Sequence, residues 1–468
     1  MAAEWSTFAP ELLLTLDRES AAPLRAQLED QLRDAVRRGR LATDERLPSS
    51  RTLAADLGLS RGLVQECYEQ LVAEGYLVSR RGSGTRVAPV HAPAADEPPR
   101  PSAAPAPPLV ADFVPGVPDL GLAPREDWAW AVRTACRTAP NTAFDYGDPC
   151  GDPGLREVLA AYLRRVRAAD AVASRVVVCA GYQQGLSIVL RALAAEGRSL
   201  VAVEDPGSIG TVTAAARAAG GDGVPVPVDE QGIDVDALDR SGARVAVVAP
   251  AHQWPTGVVL SPERRHRLLA WARARDALVV EDDYDAEFRY DREPIGSLQG
   301  LAPDRVVSIG TVSKSLAPAL RLGWTLVPES LVGPVAAIKQ VVDRGVPTLD
   351  QLALGALIES GRYDRHLRRM RSTYSQRREA LVAALAEHAP DRTITGLAAG
   401  FHAVTDLPAG VEEEDVVERA LELRVRLYGM GRYRSTLAGT PPRLVFGFGN
   451  TGVRAVEEGI ATVAPLLR

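Results

Sequence analysis

Only two of the 468 residues are lysines, Lys314 and Lys339, and the other 52 of the 54 basic residues are arginine. A chain that has drifted this far keeps lysine where arginine cannot serve. A guanidinium stays protonated, whereas an amine can lose its proton and attack an aldehyde. Lys339 lies in Val335-Ala-Ala-Ile-Lys-Gln-Val-Val, a helical pattern, and reads as a surface lysine. Lys314 stands in Ser308-Ile-Gly-Thr-Val-Ser-Lys-Ser-Leu-Ala-Pro-Ala-Leu-Arg-Leu-Gly, a Ser/Thr-rich turn after an apolar strand, with Arg321 further on. That setting points to a Schiff-base amine.

The elements that must position Lys314 alternate strand-like apolar runs with helical patterns. The runs are Arg175-Val-Val-Val-Cys, Ser199-Leu-Val-Ala-Val, Arg244-Val-Ala-Val-Val-Ala, Ala277-Leu-Val-Val-Glu and Arg305-Val-Val-Ser-Ile. β-Branched runs between helices predict a mostly parallel sheet buried on both faces, whose ligands bind at the carboxyl ends of the strands. The polar residues fall just there. Ala180-Gly-Tyr-Gln-Gln-Gly opens a helix, and its N–H groups and positive helix end favour an anion. Ala249-Pro-Ala-His-Gln-Trp-Pro-Thr-Gly is a polar turn. Glu281-Asp-Asp-Tyr-Asp is a carboxylate cluster able to hold a metal or a cationic ring nitrogen, with Asp283 and Asp285 reading as structural or solvated. The last run leads to Thr311, Lys314 and Arg321. An imine-forming lysine, an anion cradle and a carboxylate in one crevice suit an aldehyde-bearing, phosphorylated pyridine cofactor.

From Asp112 onward the chain resembles the class I aminotransferase fold, fold type I of the pyridoxal-phosphate enzymes. The resemblance implies that Lys314 holds pyridoxal 5′-phosphate as a Schiff base, that Asp282 pairs with the ring nitrogen and that Tyr284 bonds the ring hydroxyl. It implies phosphate binding by Gly181, Tyr182, Gln183, Thr311 and Arg321, and by Tyr146 across to a neighbouring subunit. His252 and Gln253 occupy a turn near the ring hydroxyl, where His252 also reads as a hydrogen-bonded turn residue. Arg443 matches the region that grips an effector carboxylate; a surface ion pair is its alternative, with Arg432 and Arg434 as nearby candidates. Ser208 departs from the pattern, which places a ring-stacking aromatic after Glu204-Asp-Pro-Gly.

The first 88 residues read differently. Leu24, Leu28, Leu32 and Val36 recur at helical spacing, and Gly39 stops that helix. Ser49 or Ser50 caps a short helix burying Leu53 and Leu57, Gly58 permits a sharp turn, and Ser60 caps a third helix burying Val64, Tyr68 and Leu71. This is a helix-turn-helix pattern. Tyr76 to Val87 reads as a hairpin whose glycine-rich tip carries Arg80, Arg81 and Arg86. Pro23 to Val87 resembles a GntR-type winged helix, with Leu-Pro-Ser-Ser-Arg, Gly-Leu-Ser-Arg, Ala-Glu-Gly-Tyr-Leu and Gly-Ser-Gly-Thr in order. The resemblance implies DNA contacts by Ser50, Arg51, Ser60, Arg61, Gln65, Arg81, Gly82, Ser83 and Gly84. Gly62 departs from it, standing where the family has Thr. Residues 1–90 hold 12 Arg against 13 Asp plus Glu, so binding needs arginines gathered on one face.

Residues 89–111 are too proline-dense for a packed core and read as a semi-rigid linker between residues 1–88 and 112–468. The net charge of −6 excludes bulk nucleic-acid attraction. Four scattered cysteines exclude a disulfide framework or zinc site and suit a reducing cytoplasm. No apolar run suggests a membrane span or secretory signal, so a cytoplasmic protein without membrane contact is expected. The fold class expected is multidomain: an N-terminal winged helix-turn-helix plus an α/β fold type I pyridoxal-phosphate (aspartate aminotransferase-like) domain. That order resembles the MocR subfamily of bacterial GntR-type regulators. The resemblance implies a transcription regulator forming a head-to-tail, domain-swapped homodimer on a double-stranded DNA operator, with pyridoxal 5′-phosphate or an amino acid as effector. The alternatives are an aminotransferase with an autoregulatory DNA-binding domain, and a DNA-binding module on a cofactor-free scaffold.

Overall fold

The structure is a computed structural model that describes residues 14–80, 84–89, 108–285, 287–290, 295–436 and 440–468. It divides into two compact units, Met1–Ala106 and Pro107–Arg468.

In the smaller unit three helices, α1 (Leu24–Arg37), α2 (Ser50–Leu57) and α3 (Arg61–Ala73), precede the antiparallel strands β1 (Leu77–Arg80) and β2 (Gly84–Val87). The apolar spacing is the cause: Leu28, Leu32, Leu53, Val64, Cys67 and Leu71 are all buried in one core, with Leu57 only partly covered. Ser49 accepts the Thr52 N–H at 3.1 Å and caps α2. Gly58 closes α2 at φ 62°, and Ser60 caps α3 by accepting the Leu63 N–H at 3.2 Å. The Tyr68 hydroxyl donates to Pro48 O at 3.0 Å and pins α3 to the entry of α2.

The larger unit begins earlier than the proline-rich composition indicates. Val110 donates to Arg424 O at 2.8 Å, and β3 (Ala111–Asp112) pairs in parallel with β14 (Val425–Arg426). Those backbone bonds draw the end of the expected linker into the fold. Helices α4 (Arg125–Thr138) and α5 (Pro153–Arg167) follow, then the strands and helices of the main sheet. In chain order these are β4 (Val176–Cys179), α6 (Tyr182–Ala195), β5 (Leu200–Asp205), α7 (Ile209–Ala218), β6 (Asp222–Asp229), β7 (Gly232–Ile233), α8 (Val235–Arg240) and β8 (Val245–Val248). They continue with α9 (Pro262–Ala274), β9 (Leu278–Asp283), β10 (Val306–Thr311), β11 (Gly323–Leu326) and α10 (Glu329–Val342). The remainder comprises α11 (Thr348–Glu359), α12 (Arg362–His388), β12 (Ile394–Thr395), β13 (His402–Asp406), α13 (Glu413–Glu422), β15 (Arg443–Gly447) and α14 (Val453–Leu467).

The eight-stranded sheet runs β4-β11-β10-β9-β8-β5-β6-β7. Strands β10, β9, β8, β5 and β6 pair in parallel; β11 is antiparallel to both neighbours. Successive strand residues feed two cores. Val245, Val247, Leu278 and Val280 pack with Leu186, Val189 and Leu193 of α6, while Ala246, Val248 and Val279 pack with Leu268, Leu269 and Trp271 of α9. With helices on both faces there is no polar side to pattern, so the strands read as continuous apolar runs. A smaller antiparallel sheet, β12-β13-β15, lies in the C-terminal part.

Candidate functional site

Lys314 lies in the turn between β10 and β11, at the carboxyl edge of the parallel strands. It lines a cavity of about 290 Å³ together with Tyr182, Gln183, Asp282, Tyr284, Thr311 and Arg321. Six side chains implied for one cofactor, and the lysine itself, thus share one space. Lys314 donates to Gly116 O at 2.5 Å. Burial holds its amine below the usual lysine value, with the carboxylates of Asp282 and Asp285 opposing the shift.

Asp282 is the second-last residue of β9, paired in register with Ile309 of β10. Burial, then the nearby Asp283 and Asp285 charges, push its carboxyl well above the usual range; Lys314 and a hydrogen bond from Tyr182 oppose them. Its Oδ1 is buried with no partner among the described residues. A buried carboxylate oxygen left unpaired is expensive, and Asp282 is one of the residues lining the cavity.

The anion cradle is built at the start of α6. Gly181 is the N-cap at φ 79°, with no side-chain cap, so the first N–H groups of the helix stay available. A Cβ on Gly181 would stand 3.1 Å from the Arg321 guanidinium. Arg321 in turn donates to Ala180 O at 2.7 Å. Gly323 is constrained as well, since a Cβ there would stand 2.7 Å from Gly310 O and 2.9 Å from Gly181 Cα. Thr311 Oγ1 lies 2.9 Å from Ser313 Oγ and donates to Leu322 O at 3.1 Å, which fixes the loop that carries Lys314.

Other expected site residues sit elsewhere. His252 and Gln253 are buried behind the cavity rather than lining it. His252 Nδ1 is 2.7 Å from Asp285 Oδ2, and the Tyr284 hydroxyl donates to His252 O at 3.0 Å. Gln253 donates to Pro206 O at 2.8 Å and accepts from the Thr256 N–H at 3.1 Å. The turn carries its polar side chains inward, so both residues hold the wall instead of forming it. Asp285 is accordingly structural, and so is Asp283, which takes two bonds from the buried Arg167 at 2.7 and 2.9 Å. Arg443 is not on the cavity wall: its Nε donates to Asp406 across the β13–β15 register at 2.7 Å. Arg432 lies over the Tyr428 ring, and Arg434 keeps a buried Nε without a partner among the described residues. Tyr146 is 77% exposed, with Arg344 stacked on its ring at 4.7 Å.

The surface reading of Lys339 is overturned. Its side chain is 0% exposed and bonds Asp343 at 2.8 and 3.0 Å. Sequence reading also missed Trp254 and Ser313 on the cavity wall. Trp254 was accessible as an aromatic in a turn after a buried strand. Together with Tyr182 it supplies the aromatic surface beside Ser208.

In the smaller unit Ser50 opens α2, and Arg51, Arg61 and Gln65 are exposed at the first turns of α2 and α3. Gln65 donates to Glu69 at 3.0 Å, and the Ser60 hydroxyl is engaged as a cap. Gly84 begins β2 at φ 84°. Arg86 is tied back to Asp44 O at 2.6 Å. Arg81, Gly82 and Ser83 lie outside the described residues. Elsewhere arginines are neutralised locally: Arg25 by Glu29 and Glu66, Arg33 by Glu74 and Asp30. Arg51 and Arg61 have no ion-pair partner among the described residues; Arg18, Arg37 and Arg46 have none either, but Arg18 is engaged by Gly58 O and Arg37 by the Tyr76 hydroxyl.

The folds define a protein with a winged helix-turn-helix and a type I pyridoxal-phosphate aminotransferase fold. Residues 24–87 match the bacterial regulatory proteins of the gntR family, and residues 118–441 match the aminotransferase class I and II family. The probable rhizopine catabolism regulatory protein MocR of Rhizobium meliloti is 34% identical over 96% of this chain and 94% of its own length. The HTH-type pyridoxine biosynthesis transcriptional regulator PdxR of Corynebacterium glutamicum is 34% identical over 94% of this chain and 95% of its own. An archaeal alanine:glyoxylate aminotransferase structure is 25% identical, with a TM-score of 0.70 over 76% of this chain and 90% of the other. The chain belongs to the MocR-type GntR regulators, DNA-binding transcriptional regulators with an aminotransferase-like domain. Among its described residues no helix is long and apolar enough to cross a membrane.

Proposed function

We propose that the larger unit binds pyridoxal 5′-phosphate through Lys314 and reports its presence, or that of an amino compound reaching it, to the DNA-binding unit. When bound, the cofactor supplies an aldehyde that condenses with a primary amine. The carrying observation is the unpaired Asp282 Oδ1 in the same cavity as the desolvated Lys314 amine and the uncapped start of α6. Asp282 answers a protonated ring nitrogen, Lys314 the aldehyde, and Arg321 with the α6 N–H groups the phosphate. Tyr284, steadied by His252 O, offers its hydroxyl to the ring substituent. The relatives' names support a regulator over a pathway enzyme, one of them naming pyridoxine biosynthesis and another rhizopine catabolism.

Tyr146 and Phe144, 77% and 63% exposed, stand out from their own unit and support a homodimer in which Tyr146 completes the phosphate site of a second copy. Effector binding that differs between two arrangements of such a dimer biases how its winged helices meet the operator.

The test is a spectral titration of purified protein with pyridoxal 5′-phosphate, then with a panel of amines, alongside DNA binding. A band near the visible edge is expected in wild type and absent in Lys314→Ala. The same band persisting in Lys314→Ala would overturn covalent capture. Steady turnover of amino donor and keto acid at about 1 s⁻¹ or faster would replace the sensor with an aminotransferase.

A further inference from the structure

Lys339 is the second of two lysines, and nothing in the cofactor set uses it. It resides on α10 with no exposed surface. A buried ammonium is costly unless paired and hydrogen-bonded. Its Nζ reaches Asp343 Oδ2 at 2.8 Å, Asp343 Oδ1 at 3.0 Å and Gln184 Oε1 at 3.4 Å. Gln184 closes the group by donating to Asp343 Oδ2 at 2.7 Å, and the Gly345 N–H donates to Asp343 Oδ1 at 2.9 Å. Burial opposes ionisation of Asp343, yet the bonds from Lys339 and Gly345 outweigh it and hold the carboxyl below its usual value.

The group ends at the anion cradle. Gln184 Oε1 accepts the Ala180 N–H at 2.7 Å. The carbonyl of the same residue accepts Arg321 at 2.7 Å. Ala180 is therefore clamped at both its N–H and its carbonyl, at the entry to α6, whose first N–H is that of Tyr182. Gly181, at φ 79°, is held as well by its own N–H on Cys179 O at 2.9 Å and by the Gly185 N–H on its carbonyl at 3.2 Å, so the Gln184 bond fixes the residue on which that turn is built.

We propose that Lys339 is a positioning residue for the phosphate end of the site, acting through Asp343 and Gln184 on the peptide at Ala180. The ligand chemistry it serves is a phosphate monoester dianion. The inference rests on the cofactor reading above. Lysine suits the position because a single ammonium on a slim stem meets three oxygens there, whereas a planar guanidinium needs a wider, forked site.

The experiment compares two probes in the full-length protein: pyridoxal 5′-phosphate, and pyridoxal, which has the aldehyde and ring but no phosphate. Lys339→Met is expected to weaken the phosphorylated probe about tenfold while leaving pyridoxal capture by Lys314 within about twofold, the loss of one charge-assisted hydrogen-bond system being felt at the phosphate alone. Gln184→Ala leaves the Lys339–Asp343 pair whole and is expected to show the same selective loss, which decides the matter if Lys339→Met fails to fold. Equal weakening of both probes, or of neither, in the folded variants would overturn the proposal. Wild-type protein that binds neither probe would instead overturn the cofactor reading, and the inference with it.

Discussion

At the scale of single residues, a lysine acts as a nucleophile only when part of its population is neutral. Burial shifts Lys314 in that direction, against the pull of Asp282 and Asp285. The expected outcome is a midpoint for amine labelling at Lys314 below the ordinary 10.5, followed by peptide mass spectrometry over a pH series. Labelling at Lys314 with the midpoint of an exposed lysine would remove the desolvation argument. The assay is clean because Lys339 is the only other lysine and has no exposed surface. Lys314 and Asp282 were legible because their types are selective and they follow apolar strands directly. Lys339 was not: with Asp343 it forms an i,i+4 pair that on one helix looks solvated. Its partner Gln184 comes from α6, 155 residues earlier in the chain. His252, Gln253 and Arg443 failed for a related reason, since composition places a turn or strand end but does not say which way its side chains face.

Among the elements, β4, β5, β8, β9 and β10 were readable as apolar runs, while β6 and β11 were not. Strand β6 carries Pro225 and Pro227, which cannot donate to a ladder, and it tolerates them because β7 covers only Val228 and Asp229. Strand β11 is short and antiparallel within an otherwise parallel group, and its apolar residues merge with the Lys314 loop. Strand β5 carries a buried carboxyl, Glu204, one residue before its end, with a consequence for pH. Burial pushes Glu204 up to about 7, only partly opposed by the Ala249 N–H and Gln253. Its folded pKa lies above its unfolded value of 4.5, so its stabilisation is complete below 4.5 and is lost as pH rises through about 7. Between those values the unfolding free energy should fall by ~1.4 kcal/mol per pH unit from this group, ~3 kcal/mol in all. Glu204→Gln keeps an oxygen for the Ala249 N–H and should remove this group's share of the slope, leaving that of Glu281 and Glu287, which burial also pushes up to about 7. Denaturant unfolding of the full chain, followed by tryptophan fluorescence, reads this unit, because Trp128, Trp130, Trp254, Trp271 and Trp324 are five of the six tryptophans. An unchanged slope in Glu204→Gln would assign the pH dependence elsewhere.

Across the whole molecule the charge distribution decides how an acidic chain holds DNA. The net charge is −6, and residues 1–90 have one more acid than arginine, so attraction cannot come from the sum. It comes from where neutralisation stops. Arg25 and Arg33 are held by Glu29, Glu66, Glu74 and Asp30, so phosphate would have to displace a partner already in contact. Arg51 and Arg61 carry no such partner among the described residues and occupy the first turns of α2 and α3, where a helix-turn-helix presents its second helix to the major groove. Arg61→Ala should therefore lower operator affinity by ~1–3 kcal/mol, roughly 5- to 150-fold, and leave the pyridoxal 5′-phosphate titration unchanged. If Arg61 meets a phosphate rather than a base edge, the slope of log affinity against log salt should also fall by about 1. Arg25→Ala is the internal control: removing an already neutralised cation should change affinity by less than about twofold. Fluorescence anisotropy on operator DNA at fixed and varied salt separates these cases. An Arg25→Ala loss equal to that of Arg61→Ala would show that the ion pairs open on DNA, and that free arginines do not define the binding face.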